Sequence, residues 1–256
     1  LFSLLFSLLA FWAVIKNFHK PHLGWLMAAV VFLFFAAMSK ENSLAFVFII
    51  PLALYYFYSV DIKKAVSIAA LLMVPAIAFV IIRQKVLGGF TAPIGDELLN
   101  NPFLDASSSQ KLATILYTWL IYFKLLIFPH PLTFDYYPYH IGLVDFTDFW
   151  VWIMVMVIAI LCILAVRGIK NKTLVSFSII AFGASFLMVS NLFFPVGTFM
   201  NERFVFMPSL FWCLAIAFLL VNAFDKINTN KAILISTYAV GACFLLFYIY
   251  KTIYFL

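Results

Sequence analysis

Most of the side chains suited to chemistry lie in three polar segments between long apolar runs: 39–42, 83–148 and 191–203. Lys40, Arg83 and Arg203 could each bind a phosphate group. A lysine offers a compact positive charge, and an arginine offers a planar fork of donors that fits phosphate oxygens. The alternative is that these cations are already satisfied, with Lys40 paired to Glu41 and Arg203 paired to Glu202 or to lipid headgroups.

Acidic and aromatic side chains of the same segments could orient a ligand: Glu41, His130, Asp135, Tyr136 and Glu202. Asp135 is a candidate functional acid among aromatic residues, although a helix cap or a solvated carboxylate fits equally well. His130 stands between two prolines and could orient a substrate. The histidines lack the spacing of metal ligands on one helix, so no metal site is predicted. A divalent cation held by Asp135 and Glu202 remains an open alternative.

The composition predicts that these segments are positioned by helices in a membrane. The sequence is 66% hydrophobic and 10% charged, whereas a soluble domain carries roughly 25% charged residues. The basic residues that give the net charge of +6 are scattered between apolar runs. This pattern is typical of cytoplasmic loops in membrane proteins and gives no reason to expect a nucleic-acid partner. We therefore predict an all-α, polytopic transmembrane helical bundle in a lipid bilayer.

Nine apolar runs are the candidate helices of this bundle. They lie at about 1–15, 23–38, 43–60, 65–82, 112–128, 149–166, 173–192, 204–222 and 232–250. Because the sequence opens on Leu1 inside a short apolar run, we expect residues 1–256 to form a single transmembrane domain that is a fragment of a longer protein.

Loop charges set the expected topology, because cytoplasmic loops are rich in lysine and arginine. Four basic connections lie at 16–22, 61–64, 167–172 and 223–231. They share one side only if one run between residues 83 and 148 does not cross. The run 112–128, which contains Lys124, fits that role best. We therefore predict about eight spans plus one interfacial or re-entrant helix at 112–128, embedded in a long outer loop at 83–148.

The three polar segments together resemble one family, the O-mannosyltransferases that carry C-terminal tetratricopeptide repeats. These enzymes belong to the GT-C class of glycosyltransferases, which use polyprenyl-phosphate sugars. The resemblance lies in Ser39-Lys40-Glu41, Asn101-Pro102, the block 122–136, the block 190–197, Glu202-Arg203 and Pro208. The order and spacing of these blocks are similar to those of the family over about residues 39–210.

The resemblance implies a GT-C-like fold and transfer of a mannose-like sugar from a polyprenyl-phosphate donor to an acceptor, usually a protein hydroxyl, on the non-cytoplasmic face. It also implies a catalytic acid in the first outer loop, which would lie upstream of Leu1. The cations Lys40, Arg83 and Arg203 would then bind the donor phosphate. The acidic and aromatic candidates would line or orient the pocket.

Two other functions remain open at this stage. A catalytically silent relative could serve as a membrane subunit or scaffold with other subunits. A transporter could use the proline-interrupted spans, although almost no ionisable residue lies at mid-depth. The expected location is a bacterial inner membrane with a periplasmic active face; an endoplasmic reticulum membrane would give the same sequence pattern.

Overall fold

The protein, represented here by a computed structural model, has helices and no strands among the residues that the structure describes. These are residues 1–87, 101–133, 136, 140–193 and 196–227, with Gly241, Leu246, Ile249 and Tyr250. The α-helices are α1 (Phe2–His19), α2 (Leu23–Ser39), α3 (Phe46–Phe57), α4 (Ile62–Leu87), α5 (Ser108–Ile127), α6 (Phe149–Lys170), α7 (Leu174–Leu187) and α8 (Phe206–Ile227). Short 3₁₀ helices at Glu41–Ala45 and Glu202–Val205 precede α3 and α8.

The all-α class is confirmed, and four helices are long and apolar enough to cross a membrane. They are Phe2–His19, Ile62–Val86, Phe149–Lys170 and Glu202–Phe224. Three further apolar helices are shorter: Leu23–Ser39, Glu41–Phe57 and Leu174–Leu187. Eight of the nine apolar runs coincide with helices, whereas all but four residues of the run 232–250 lie outside the described part of the chain.

Helix boundaries follow local side-chain chemistry as well as hydrophobicity. The Ser107 hydroxyl accepts a hydrogen bond from the Gln110 amide at 3.1 Å, and the Gln110 side chain accepts one from the Ser107 amide at 3.2 Å. This capping box satisfies two backbone donors that would otherwise be unpaired. It starts α5 at Ser108, four residues before the apolar run begins. Asp148 caps α6 in a similar way, accepting from the Trp150 amide at 2.8 Å.

Small residues lie between the helices, and large apolar residues lie on the outside. Ala10 and Ala36 are fully buried in the contact between α1 and α2, whereas Trp12 and Phe35 on the same helices are exposed. Close approach of helices through small residues is typical of membrane bundles, where lipid covers the large apolar side chains.

Contacts at one end of the bundle, here named the Lys40 end, join the start of α1, the end of α2 and the end of α4. Ser3 Oγ donates a hydrogen bond to the Lys40 carbonyl at 3.3 Å. Arg83 Nη1 lies 2.7 Å from Glu41 Oε2. Arg203, at the start of α8, is also at this end, where it lines one cavity with Ser3 and Lys40.

The opposite end, here named the Ser176 end, joins α1, α3, α6 and α7. The Phe18 and Tyr58 rings lie 5.5 Å apart, and the Tyr56 hydroxyl lies 2.9 Å from Ser176 Oγ. Ser176 Oγ in turn donates to the Ala165 carbonyl at 2.6 Å. These contacts define two chemically distinct ends of the bundle.

Side chains along the length of helix α5 bond to connecting segments. Thr114 Oγ1 accepts from the Val144 amide at 2.9 Å. Trp119 Nε1 donates to the Ser190 carbonyl at 3.2 Å. Tyr122 Oη accepts from the Asn201 amide at 2.7 Å. These partners precede α6, follow α7 and precede α8, respectively.

Candidate functional site

Lys40 is held at the point where α2 ends. Its backbone is extended, with φ −166° and ψ 131°, which terminates α2 and begins the 3₁₀ helix. Its carbonyl accepts hydrogen bonds from Ser3 Oγ at 3.3 Å, from Ser43 Oγ at 2.8 Å and from the Ser43 amide at 3.2 Å. Contacts from α1 and from the 3₁₀ helix therefore fix the backbone of Lys40. Its side chain is exposed.

Arg203 lies at the start of a helix, in the 3₁₀ helix Glu202–Val205 that precedes α8. The Asn201 side chain accepts a hydrogen bond from the Arg203 amide at 3.1 Å, which is the usual role of an asparagine at an N-cap. The Arg203 guanidinium carbon lies 5.7 Å from the centre of the Phe204 ring, and Lys40 Nζ lies 5.7 Å from the same ring. Two cations from distant parts of the sequence thus share one aromatic side chain.

Lys40 and Arg203 line one cavity of about 350 Å³ at the Lys40 end. Ser3 and Asn42 add polar groups, and the remaining lining is apolar: Leu1, Leu4, Phe206 and Met207. A cavity lined by two cations and by apolar side chains fits an anionic group attached to a hydrocarbon chain.

The carboxylates nearest in sequence to these cations have other partners. Glu41 forms an ion pair with Arg83, and within the described part of the chain this is the one ion pair. Both of its side chains are well exposed, so the pair contributes little stability. Its consequence is chemical: Glu41 is engaged by Arg83, and neither Lys40 nor Arg203 has an acidic partner among the described residues.

Partial burial and the charge of Arg203 both affect the pKa of Lys40. Although the side chain as a whole is exposed, burial of its ammonium group lowers the pKa of Lys40, and the nearby Arg203 charge lowers it further. Glu41 opposes this effect in part. An anion in the cavity would offset the repulsion between the two cations.

Glu202 ties the segment after α5 to the start of α8. Its Oε1 accepts hydrogen bonds from the Thr133 amide at 2.9 Å and from the Tyr136 hydroxyl at 3.0 Å. Burial raises the pKa of Tyr136, and the negative charge of Glu202 raises it further, so the phenol remains a hydrogen-bond donor. Glu202 and Tyr136 are therefore brought together, as a contact beside the cation pair.

The other predicted site residues take different positions. Arg83 lies beside Glu41 and is absent from the cavity lining. His130 is exposed, and its ring packs edge-on to Phe128 with 6.2 Å between centres. Asp135 lies outside the described residues. In the part of the chain that the structure describes, no group of three metal-ligating side chains could hold a metal ion.

Asn42 is a polar residue of this cavity that was not selected as a site residue from the sequence. It lies next to Glu41 in the polar segment 39–42, yet it is only 2% exposed. Its Oδ1 atom is buried and has no hydrogen-bond partner in the described structure. A polar residue at the start of an apolar helix is the available sequence signal, but burial without a partner depends on tertiary packing.

The arrangement at the Lys40 end can bind an anion through two cations and can contact a hydrocarbon chain through its apolar wall. The chain was also compared with protein-family models, with curated proteins and with solved structures, and none of these comparisons gave a match.

Proposed function

We propose that the chain is the core of a membrane glycosyltransferase that transfers a mannose-like sugar from a polyprenyl-phosphate donor to an acceptor hydroxyl, as in the family it resembles. One observation carries the proposal: Lys40 and Arg203 line the same cavity, and neither has an acidic partner among the described residues. Like charges held together beside a membrane are costly unless an anion joins them.

The ligand expected in this cavity is a phosphate joined to both a lipid and a sugar. During transfer, the acceptor oxygen attacks the anomeric carbon, and the bond from that carbon to the phosphate oxygen breaks. The electron pair stays on the polyprenyl phosphate, and the acceptor proton goes to a general base. Lys40 and Arg203 would stabilise the negative charge that develops on the leaving phosphate.

The family resemblance implies that the general base is an acidic residue of the first outer loop. The acceptor is expected to be a protein hydroxyl.

The contacts also support the proposed topology of eight spans and one non-crossing helix. Helix α5 bonds to Val144, Ser190 and Asn201, which lie in segments on the proposed outer side. Lys172 and Lys64, in two of the basic connections, lie at the Ser176 end, where their ammonium groups pack on Tyr55 and Phe18. With the Ser176 end cytoplasmic, the Lys40 end faces the periplasm of a bacterial cell or the lumen of the endoplasmic reticulum.

The decisive experiment measures sugar transfer and donor binding by the full-length protein in lipid nanodiscs. Because hydrogen bonds to charged groups contribute about 1.5–3 kcal/mol each, the Lys40→Gln/Arg203→Gln variant should bind polyprenyl-phosphate-linked mannose at least about 100-fold more weakly. Transfer should fall in parallel.

The matched control is Lys64→Gln/Lys172→Gln. These two lysines also pack on aromatic rings, but at the Ser176 end, so donor affinity should stay unchanged. Equal donor affinity in the unaltered protein and the Lys40→Gln/Arg203→Gln variant would refute the proposed phosphate site.

A further inference from the structure

Two buried side-chain atoms have no hydrogen-bond partner in the described structure, Asn42 Oδ1 and Ser178 Oγ. Buried polar groups are nearly always hydrogen-bonded, so each exception needs a reason. Ser178 lines a cavity of about 480 Å³ that is otherwise almost wholly apolar, and no charged side chain lies there to define a ligand. Asn42 differs, because its cavity also contains Lys40 and Arg203.

The neighbours of Asn42 cannot satisfy its amide oxygen. The Ser3 hydroxyl, which lines the same cavity, already donates to the Lys40 carbonyl. The Ser43 hydroxyl donates to the same carbonyl at 2.8 Å. Neither Lys40 nor Arg203 donates to Asn42 Oδ1. The oxygen of Asn42 therefore needs a donor from outside the described chain.

The chemistry of that donor follows from the chemistry of the cavity. The cations Lys40 and Arg203 supply donors, which match the acceptor oxygens of a phosphodiester. A phosphodiester at neutral pH has no O–H group, so it can satisfy the two cations but cannot donate to Asn42 Oδ1. A hydroxyl on the group esterified to the phosphate can supply the missing donor.

We infer that Asn42 is a specificity-determining residue, whose side-chain amide binds a hydroxyl of the group attached to the phosphate. The Lys40 end then distinguishes a sugar-linked polyprenyl phosphate from the sugar-free lipid. The inference rests on the proposed function and adds the residue that reads the sugar. Sites built to hydrogen-bond a substrate hydroxyl discriminate strongly against ligands that lack it, because the protein group is then left unpaired.

The test compares two probes with the full-length protein in phosphatidylcholine nanodiscs: polyprenyl-phosphate-linked mannose and sugar-free polyprenyl phosphate. Asn42→Ala should weaken binding of the sugar-linked lipid by about tenfold. Its affinity for the sugar-free lipid should change by less than about twofold, which also shows that the variant is folded. Asn42→Ser, which keeps a hydroxyl acceptor, should restore part of the loss.

A second arm needs no substitution in the protein. Removing one mannose hydroxyl at a time should identify one position whose loss weakens binding by about tenfold in the unaltered protein. That deoxygenation should have no further effect in Asn42→Ala, because the two changes remove the same hydrogen bond. If no single deoxygenation weakens binding to the unaltered protein, the inference is wrong, whether or not the Asn42 variants fold.

The remaining outcomes separate this inference from the proposed function. Equal loss of both lipids in a folded Asn42→Ala protein would overturn the role of Asn42 and leave the phosphate site intact. No saturable binding of either lipid by the unaltered protein would overturn the proposed function and this inference with it. Displacement of the donor by phosphatidylglycerol, which also carries hydroxyls beside a phosphate, would assign the site to a bilayer headgroup.

Discussion

The Lys40 end and the Ser176 end both contain polar side chains, but they differ in whether those side chains have partners within the described structure. At the Ser176 end, the Tyr56 hydroxyl, Ser176 Oγ and the Ala165 carbonyl satisfy one another in a continuous chain. At the Lys40 end, two cations lack acidic partners in the described structure, and a buried amide oxygen has no hydrogen bond. Because unsatisfied polar groups cost stability, the contrast indicates that one end holds the bundle together and the other is suited to a ligand.

The largest effect on stability is expected from Gly168→Val, which places a larger side chain in the tightest contact of the Ser176 end. A side-chain carbon added at Gly168 would lie 2.4 Å from both Ser176 Cβ and Thr173 Oγ1, closer than atoms can pack. Gly168→Val should therefore destabilise the protein by about 3 kcal/mol, through overpacking between α6 and α7. Thermal unfolding in detergent measures this change.

Gly183→Ala is the matched control for that substitution. Gly183 lies within α7, where an added carbon would meet no atom within 4 Å, and alanine favours helix over glycine by up to about 1 kcal/mol. Its melting temperature should stay equal or rise. If Gly168→Val were as stable as Gly183→Ala, the Ser176 end would not be the tightly packed part of the bundle.

A smaller effect is expected at the Lys40 end from Tyr136→Phe. This substitution removes the hydroxyl that donates to Glu202 at 3.0 Å and should cost about 1–2 kcal/mol of stability, since the acceptor is charged. Tyr117→Phe is the control, because Tyr117 lies on α5 and its hydroxyl has no hydrogen bond in the described structure. Equal melting temperatures for both variants would mean that the hydrogen bond from Tyr136 to Glu202 does not stabilise the protein.

The smallest effect is a pH dependence confined to the Lys40 end. The pKa of Lys40 lies below its usual 10.5 in the folded protein, so the folded state binds fewer protons than the unfolded state across that interval. Stability should therefore rise with pH as Lys40 loses its proton. Donor affinity should fall over the same range, because a phosphodiester keeps its charge while the lysine loses one.

Lys40→Arg distinguishes this pH effect from a general one. Arginine stays charged across the accessible range, so donor affinity in this variant should be flat between about pH 7 and pH 10. A fall of the same size in Lys40→Arg would place the titrating group elsewhere.

Hydrophobicity predicted the positions of the helices, but polar contacts set their ends. The run 112–128 marks α5, yet the helix begins at Ser108 because of the Ser107–Gln110 capping box. The run 65–82 marks α4, which continues to Leu87 past Arg83. A window of apolar residues stops at the first polar side chain, whereas a helix continues wherever its backbone hydrogen bonds are satisfied.

The residues of the candidate site were also only partly predictable from the sequence. That Lys40 and Arg203 reach one cavity is consistent with their prediction as phosphate ligands from charge and position. Sequence alone did not indicate that Glu41 would pair with Arg83 and Glu202 with Tyr136, because those choices depend on distances set by packing. Asn42 was overlooked for the same reason.

The shared position of Lys40 and Arg203 on Phe204 has a consequence for biosynthesis. Lys40 enters the membrane with the first two helices, whereas Arg203 is synthesised only after α7 and arrives with α8. No shorter nascent chain can present both cations. Anion binding by this cation pair therefore requires synthesis at least as far as Arg203, and a chain that ends before Arg203 should bind no anion through the pair.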